Sequence, residues 1–291
     1  MAKHPGSTLR DIDAPHFSYW QALYYSFFKR ALYVDVGKRW KRLSVLYLLL
    51  LMFVASFPFS LRLMLVFDDF FKHEIIRPLQ SLPELYVQNG LVSLDKPMPY
   101  IIKDESGDVT AIVDTSGVIT DFSASYPKLS VVITKDTFMF RVPEPPQFFK
   151  AFKAEPWPAT TKKFDKDLNQ IFDAKHWVES STIKSTRMVI NAMIFPTIAV
   201  LFFTLYLIFL LAFTLMAQFV AKILLKFDLT YITAFRLLMV AATPQIFLLQ
   251  FVMAFDWIFS GLGLVLCIVI AAWFSFAVLS LKRESNKLVR M

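Results

Sequence analysis

The chain of 291 residues is 56 % hydrophobic, contains 31 phenylalanines, and carries 31 Lys+Arg against 23 Asp+Glu for a formal net charge of +8. Counted by segment, Lys/Arg and acids number eight and three over 1–42, 16 and 17 over 62–187, three and one over 222–236, and four and one after Leu281. The basic excess therefore flanks apolar runs. That pattern argues against nucleic-acid binding and follows the positive-inside bias of membrane proteins, while the single cysteine, Cys267, excludes an internal disulfide or a paired-thiolate metal site.

Residues 1–15 are polar and are expected to form a loose cytoplasmic tail, with no early apolar run of the kind a cleaved signal peptide carries. Residues 17–33 (FSYWQALYYSFFKRALY) are densely aromatic. Ser18 with Gln21 three positions on reads as a capping box, and Trp20, Tyr24, Phe27 and Phe28 recur at helical spacing ahead of Lys29 and Arg30. Two placements fit such a helix: in the membrane interface with its rings at headgroup depth, or packed beneath a bundle by its aromatic face. The cluster Lys38-Arg39-Trp40-Lys41-Arg42 is read as the topological anchor of the span that follows, with anionic-lipid binding as the alternative. That first span is 43–61, with Pro58 near its far end.

Residues 62–83 keep a helical period while gaining Asp68, Asp69, Lys72, His73, Glu74 and Arg77. They are expected to extend the first span beyond the bilayer and to stop before Pro78. His73-Glu74 lacks a second histidine at metal spacing, so it is not read as a zinc site.

Over 85–141 the texture changes to short β-branched runs, predicting strands at 85–88, 91–94, 100–103, 109–114, 118–122, 130–134 and 137–141. Asn89-Gly90, Ser106-Gly107, Ser116-Gly117 and Lys135-Asp136 are the turns between them, and a meandering antiparallel sheet is expected. Pro143, Pro145 and Pro146 end the last strand. Next come a short amphipathic helical turn at 147–153, an extended corner at Pro156-Trp157-Pro158, and a helix over 164–178. The last is read from Phe164, Leu168, Ile171, Phe172 and Trp177.

Residues 188–221 carry no charge, where about 20 apolar residues suffice to cross a bilayer core; this run is read as a span. A short basic loop, 222–236, leads to a span at 237–255 containing Pro244, Gln245 and Gln250. Asp256-Trp257 marks the outer turn, and 258–281 returns to Lys282-Arg283. Arg236, near the inner end of its span, is expected to snorkel.

The predicted class is therefore an α+β membrane protein: four transmembrane helices with a β-rich extracytoplasmic domain inserted between the first and second. Its parts are a cytoplasmic N-terminal segment (1–42) with the aromatic helix, a transmembrane helix (43–61), the β-rich domain (62–187), a three-helix transmembrane bundle (188–281) and a cytoplasmic tail (282–291). Both termini fall on the cytoplasmic side.

In order and spacing, nearly the whole chain resembles a bacterial membrane-protein family defined as a domain of unknown function. The residues that carry the resemblance are Asn89-Gly90, Lys96-Pro97, the stretch 111–117 (AIVDTSG) and the stretch 131–136 (VVITKD). One branch of that family bears the name maltodextrin-utilisation protein. The resemblance implies a multi-pass protein of the bacterial cytoplasmic membrane with no assigned activity.

Chemistry-bearing motifs are sparse. Asp114-Thr115-Ser116-Gly117 approaches the Asp-Thr-Gly loop of aspartic proteases, but an extra serine interrupts it and a second carboxylate is needed. It reads as a turn in which Asp114 accepts backbone N–H groups and Gly117 takes positive φ. No Gly-x-Ser-x-Gly elbow occurs.

The residues singled out for binding or structure are Asp114, Gly117, Lys135 and Asp136 outside, Trp20, Lys38, Arg39 and Trp40 inside, and the amides Gln245 and Gln250 within the third span. No catalytic, metal or cofactor residue is assigned. The expected function is non-enzymatic: an extracytoplasmic domain presented to a partner protein, a lipid or an envelope component, with the lipid bilayer as constant partner. An accessory component of a solute transporter and a membrane-bound hydrolase are the alternatives.

Overall fold

The structure is a computed structural model that describes residues 14–41, 44–104, 106–122, 125–141, 159–179 and 181–289. The predicted tail before residue 14, the strand-ending prolines, the helical turn at 147–153 and the corner at 156–158 lie outside those residues. The helices are α1 (Tyr19–Tyr25), α2 (Arg30–Lys38), α3 (Val45–Ala55), α4 (Phe57–Phe70), α5 (Arg77–Gln80), α6 (Ala174–Glu179), α7 (Ser181–Ile223), α8 (Tyr231–Ala241), α9 (Thr243–Phe255) and α10 (Leu262–Val289), with a π-helical turn at Phe71–Ile76. The strands are β1 (Leu85–Gln88), β2 (Leu91–Ser93), β3 (Tyr100–Lys103), β4 (Val109–Asp114), β5 (Val131–Thr134), β6 (Thr137–Phe140), β7 (Thr160–Lys163) and β8 (Gln170–Phe172). Two compact units form: Met1–Arg62 with Ile194–Met291, and Leu63–Met193.

The first unit is helical. α1 starts at the predicted capping box, Gln21 N donating to Ser18 Oγ at 3.3 Å and Ser18 N to Gln21 Oε1 at 3.0 Å. It buries Ala22 and Leu23 and leaves Trp20, Tyr24, Phe27 and Phe28 exposed. Tyr19 and Tyr25 pack at the edge of the same core, while Trp20 and Tyr24 point away from it. α8 forms the centre, with residues 234–241 all buried and with α2 and α10 packed on it. In the most apolar window of Tyr231–Phe255, 67 % is buried, against 22 % for Ile183–Ile223 and Leu262–Asn286. Those two present apolar side chains outward, as a lipid-facing helix does.

Among the described residues, three helices are long and apolar enough to cross a membrane, and a fourth span is added if α3 and the helix running from Phe57 to Gln80 are taken together across a 44° bend. α3 alone is 11 residues, about 17 Å at 1.5 Å per residue, which is too short for a bilayer core of about 30 Å. Ser56 sits at the joint, its hydroxyl donating to Met52 O at 2.7 Å. The helix beyond the joint does not stop before Pro78: it passes through a π-helical turn and ends at Gln80.

The second unit holds two sheets, of order β2-β1-β8 and β3-β4-β5-β6-β7. The β1–β2 hairpin turns through Asn89 (φ 51°) and Gly90 (φ 73°); positive φ at both central residues is the type I′ turn that matches strand twist. β4 and β5 pair in parallel, from Ala111↔Val131 to Asp114↔Thr134, so the simple antiparallel meander is corrected. The apolar run of β4 and β5 is continuous because both faces are covered. Ala111, Val113, Val131 and Ile133 join one core with Leu85, Val87 and Val92, while Ile112 and Val132 join another with Leu129 and Met139.

Two further corrections concern local structure. Residues 118–122 form no strand, since the chain there wraps around the Asp114 carboxylate. The helix expected over 164–178 is replaced by β8, which pairs with β1, and by the short α6. The helix-like spacing of Phe164, Leu168 and Phe172 arises because loop and strand both feed the same core.

Candidate functional site

In the strand-rich unit, Asp114 ends β4 fully buried. Oδ1 accepts Ser116 N at 2.8 Å and Ser116 Oγ at 2.5 Å; Oδ2 accepts Ile119 N at 2.5 Å. Burial alone would push this carboxyl up. The bonds from the Ser116 hydroxyl and from the backbone of Ile119, Ser116 and Val118 outweigh it and hold the group below the usual carboxylate range. With both oxygens taken by its own loop, Asp114 is a turn former. Gly117, at φ 85°, supplies the left-handed residue of that turn and faces open space.

Lys135 and Asp136 close the β5–β6 hairpin with their side chains outward. Their carbonyls accept Val92 N at 2.7 Å and Phe164 N at 2.9 Å, which ties β2 and the chain after β7 to this turn. The pair is therefore a junction in the backbone.

A feature the motifs did not indicate lies on the exposed face of β1 and β8. Tyr86 stands opposite Ile171, both exposed, and a hollow of about 350 Å³ is lined by Tyr86, Val87, Gln88, Asn89, Asn169, Gln170 and Ile171. Four of these are side-chain amides and none is a charged residue. Asn169 Oδ1 fixes one end by accepting Asn89 N at 2.8 Å. The only sequence signal was the alternation of 85–88; β8 could not be paired with it locally.

In the helical unit, the basic-aromatic cluster divides. Lys38 is exposed. Arg39 Nη1 donates to Asp35 Oδ1 at 3.2 Å, and Asp35 also accepts His16 N and Phe17 N. Trp40 is buried, its ring centroid 4.9 Å from Tyr19 and 5.6 Å from Tyr47. Trp20 lines a shallow apolar groove of about 440 Å³ with Leu46, Leu49, Leu50, Phe53 and Val54 of α3.

Deeper in the unit, Tyr47 and Thr243 share a hydroxyl–hydroxyl bond of 2.6 Å. Further along the same helices, Arg62 donates to Met253 O at 2.8 Å and pairs with Asp256 at 2.9 Å. These two ties run α3 and α4 parallel to α9. Gln250 lies seven residues beyond Thr243, two helical turns on, and so on the same face. It is buried, and neither Oε1 nor Nε2 has a partner among the described residues.

Ser60 Oγ is in the same condition, as is Oε1 of Gln245, whose side chain otherwise bonds Tyr206. Both neighbouring helices are interrupted here, at Ser56 and at Ala242 ahead of Pro244. Asn191, in the other unit, bonds Asp68 at 3.3 Å. Uncharged amides and hydroxyls of this kind can hydrogen-bond a neutral polar group.

These features define an α+β protein with sheets and three to four helices apolar enough to span a membrane. The model of a protein family of unknown function, DUF1189, matches residues 20–278, and the chain belongs to that family. No curated protein and no solved structure matches it.

Proposed function

We propose that the protein is a non-enzymatic, multi-pass protein of a bacterial cytoplasmic membrane. The strand-rich unit, inserted between the first span and the last three, faces outward as a binding module, and the segments before the first span and after the last face the cytoplasm. The observation that carries this reading is the amide-lined hollow beside Tyr86 and Ile171. It combines exposed apolar surface with hydrogen-bonding groups and lacks fixed charge, which suits an uncharged segment of a partner protein or envelope component. Resemblance to the maltodextrin-utilisation branch adds no substrate to it.

The test is photo-crosslinking in cells from Ile171, with Val118, exposed and not among the residues lining the hollow, as the control position. Capture of one defined partner from Ile171 and not from Val118 is expected. Identical or empty profiles from the two positions would overturn the reading.

A second reading, an accessory component of a solute transporter, is favoured by one observation: the Gln250 amide, the Ser60 hydroxyl and Gln245 Oε1 are buried between two interrupted helices with no partner among the described residues. Polar sites at helix breaks are where transporters bind solutes. Here the ligand would be small and neutral.

A further inference from the structure

Arg236 sits in the second turn of α8, at the end of the bundle where the basic segments gather. A cation near a span end ordinarily extends its head to water; Arg236 is instead only 9 % exposed. Its Nη2 makes two long bonds, 3.4 Å to Gly37 O and 3.3 Å to Thr233 Oγ1. The buried Nε has no partner among the described residues, and no carboxylate there forms an ion pair with Arg236.

The neighbouring elements do not repair this. On α2 the one acid, Asp35, is occupied by Arg39 and two backbone N–H groups. Lys38 on the same helix is exposed. On α10, Lys282 donates to Leu225 O at 2.8 Å. In the last turn of α7, Lys222 is paired with Asp228 at 3.6 Å. A buried guanidinium without a counter-charge is strongly unfavourable, and its planar fork is the side chain best shaped to hold two oxygens of a phosphate. Basic recesses between membrane helices are where phosphate headgroups settle.

We propose that Arg236 is the anchor of an anion site that takes a phosphate group, with Gly37 O and Thr233 Oγ1 steering the guanidinium. Two sources share that chemistry, the headgroup of an anionic phospholipid and a soluble phosphate.

The full chain is placed in nanodiscs of phosphatidylcholine, with or without phosphatidylglycerol, and separately titrated with inorganic phosphate; the thermal midpoint is read in each. A midpoint raised by phosphatidylglycerol alone assigns the site to lipid. A rise with inorganic phosphate as well assigns it to a soluble phosphate. In either case Arg236→Gln weakens the apparent affinity by more than about tenfold, whereas Lys222→Gln, which removes the same charge from a surface pair, leaves it within about twofold. If Arg236→Gln fails to fold, Arg236→Lys keeps the charge without the fork and is expected to weaken binding too. No anion-dependent rise in the wild type, or a rise that Arg236→Gln or Arg236→Lys leaves unchanged, overturns the proposal and makes Arg236 a packing residue held by the α2 carbonyl.

Discussion

The two units treat buried polar groups in opposite ways. In the strand-rich unit, Asp114 fills its acceptors from its own loop, and Ser130 donates to Thr110 O from both backbone and side chain. Asn191 Oδ1 is the exception. In the helical unit, Trp40 Nε1, Ser60 Oγ, Arg236 Nε, Gln245 Oε1 and both amide atoms of Gln250 have no partner among the described residues, although the apolar surroundings make each more costly. Stability maintains the first set. An apolar side chain of similar shape in place of the second would leave no polar atom to satisfy, and on the readings proposed above a ligand completes Gln250, Gln245, Ser60 and Arg236.

The largest effect is expected where a satisfied group is removed from the strand-rich unit. Asp114→Ala strips the acceptor from two backbone N–H groups and a hydroxyl and should cost about 3 kcal/mol, read as lost hydrogen-exchange protection in β4 and β5. The wild-type carboxyl also makes this unit acid-sensitive. Its folded value is depressed, so its contribution is complete above about pH 4, the ordinary value in an unfolded chain. It is lost as pH falls through the folded value, and Asp114→Asn should flatten that stretch of the pH profile.

Next comes Gly90→Ala, which combines positive φ with a Cβ 2.7 Å from Asp165 O, for about 2 kcal/mol. Gly117→Ala has the same backbone demand but open space around it, so about 1 kcal/mol is expected. Equal losses from the two glycines, by chemical denaturation, would remove the packing argument. In the helical unit, Tyr47→Phe deprives buried Thr243 of its partner and should cost about 1 kcal/mol. Asp256→Asn, at an exposed ion pair, should change stability least, by less than about 0.5 kcal/mol, read from the thermal midpoint.

Legibility in the sequence followed the range of the interactions. The capping box at Ser18, the Asn89-Gly90 turn and the strand at 109–114 are set by residues a few positions apart, and each was readable. The Asp114 turn was readable too, although the bend that it imposes on 118–122 was mistaken for a strand. What failed depends on distant partners. β8 exists because Leu85, Tyr86 and Val87 pair with it from far up the chain, and β7 is an exposed edge strand, Thr-Thr-Lys-Lys, with no apolar alternation to betray it.

The candidate amides Gln245 and Gln250 were visible as polar residues in an apolar run. That Gln250 lacks a partner was not, since it depends on which neighbours α9 meets. Arg236 was misplaced for the same reason: its position in the chain suggests snorkelling, and only the packing of α2 and α10 encloses it.

The most direct test of the contrast is the stability of Gln250→Leu in bilayer nanodiscs, measured beside Tyr47→Phe on the same helix pair. With no partner among the described residues to lose, Gln250→Leu should unfold at the same temperature as the wild type or a higher one, while Tyr47→Phe unfolds lower. A loss for Gln250→Leu equal to or greater than that of Tyr47→Phe would mean that the amide holds the bundle together, and the functional reading of its unpaired polar groups would be wrong.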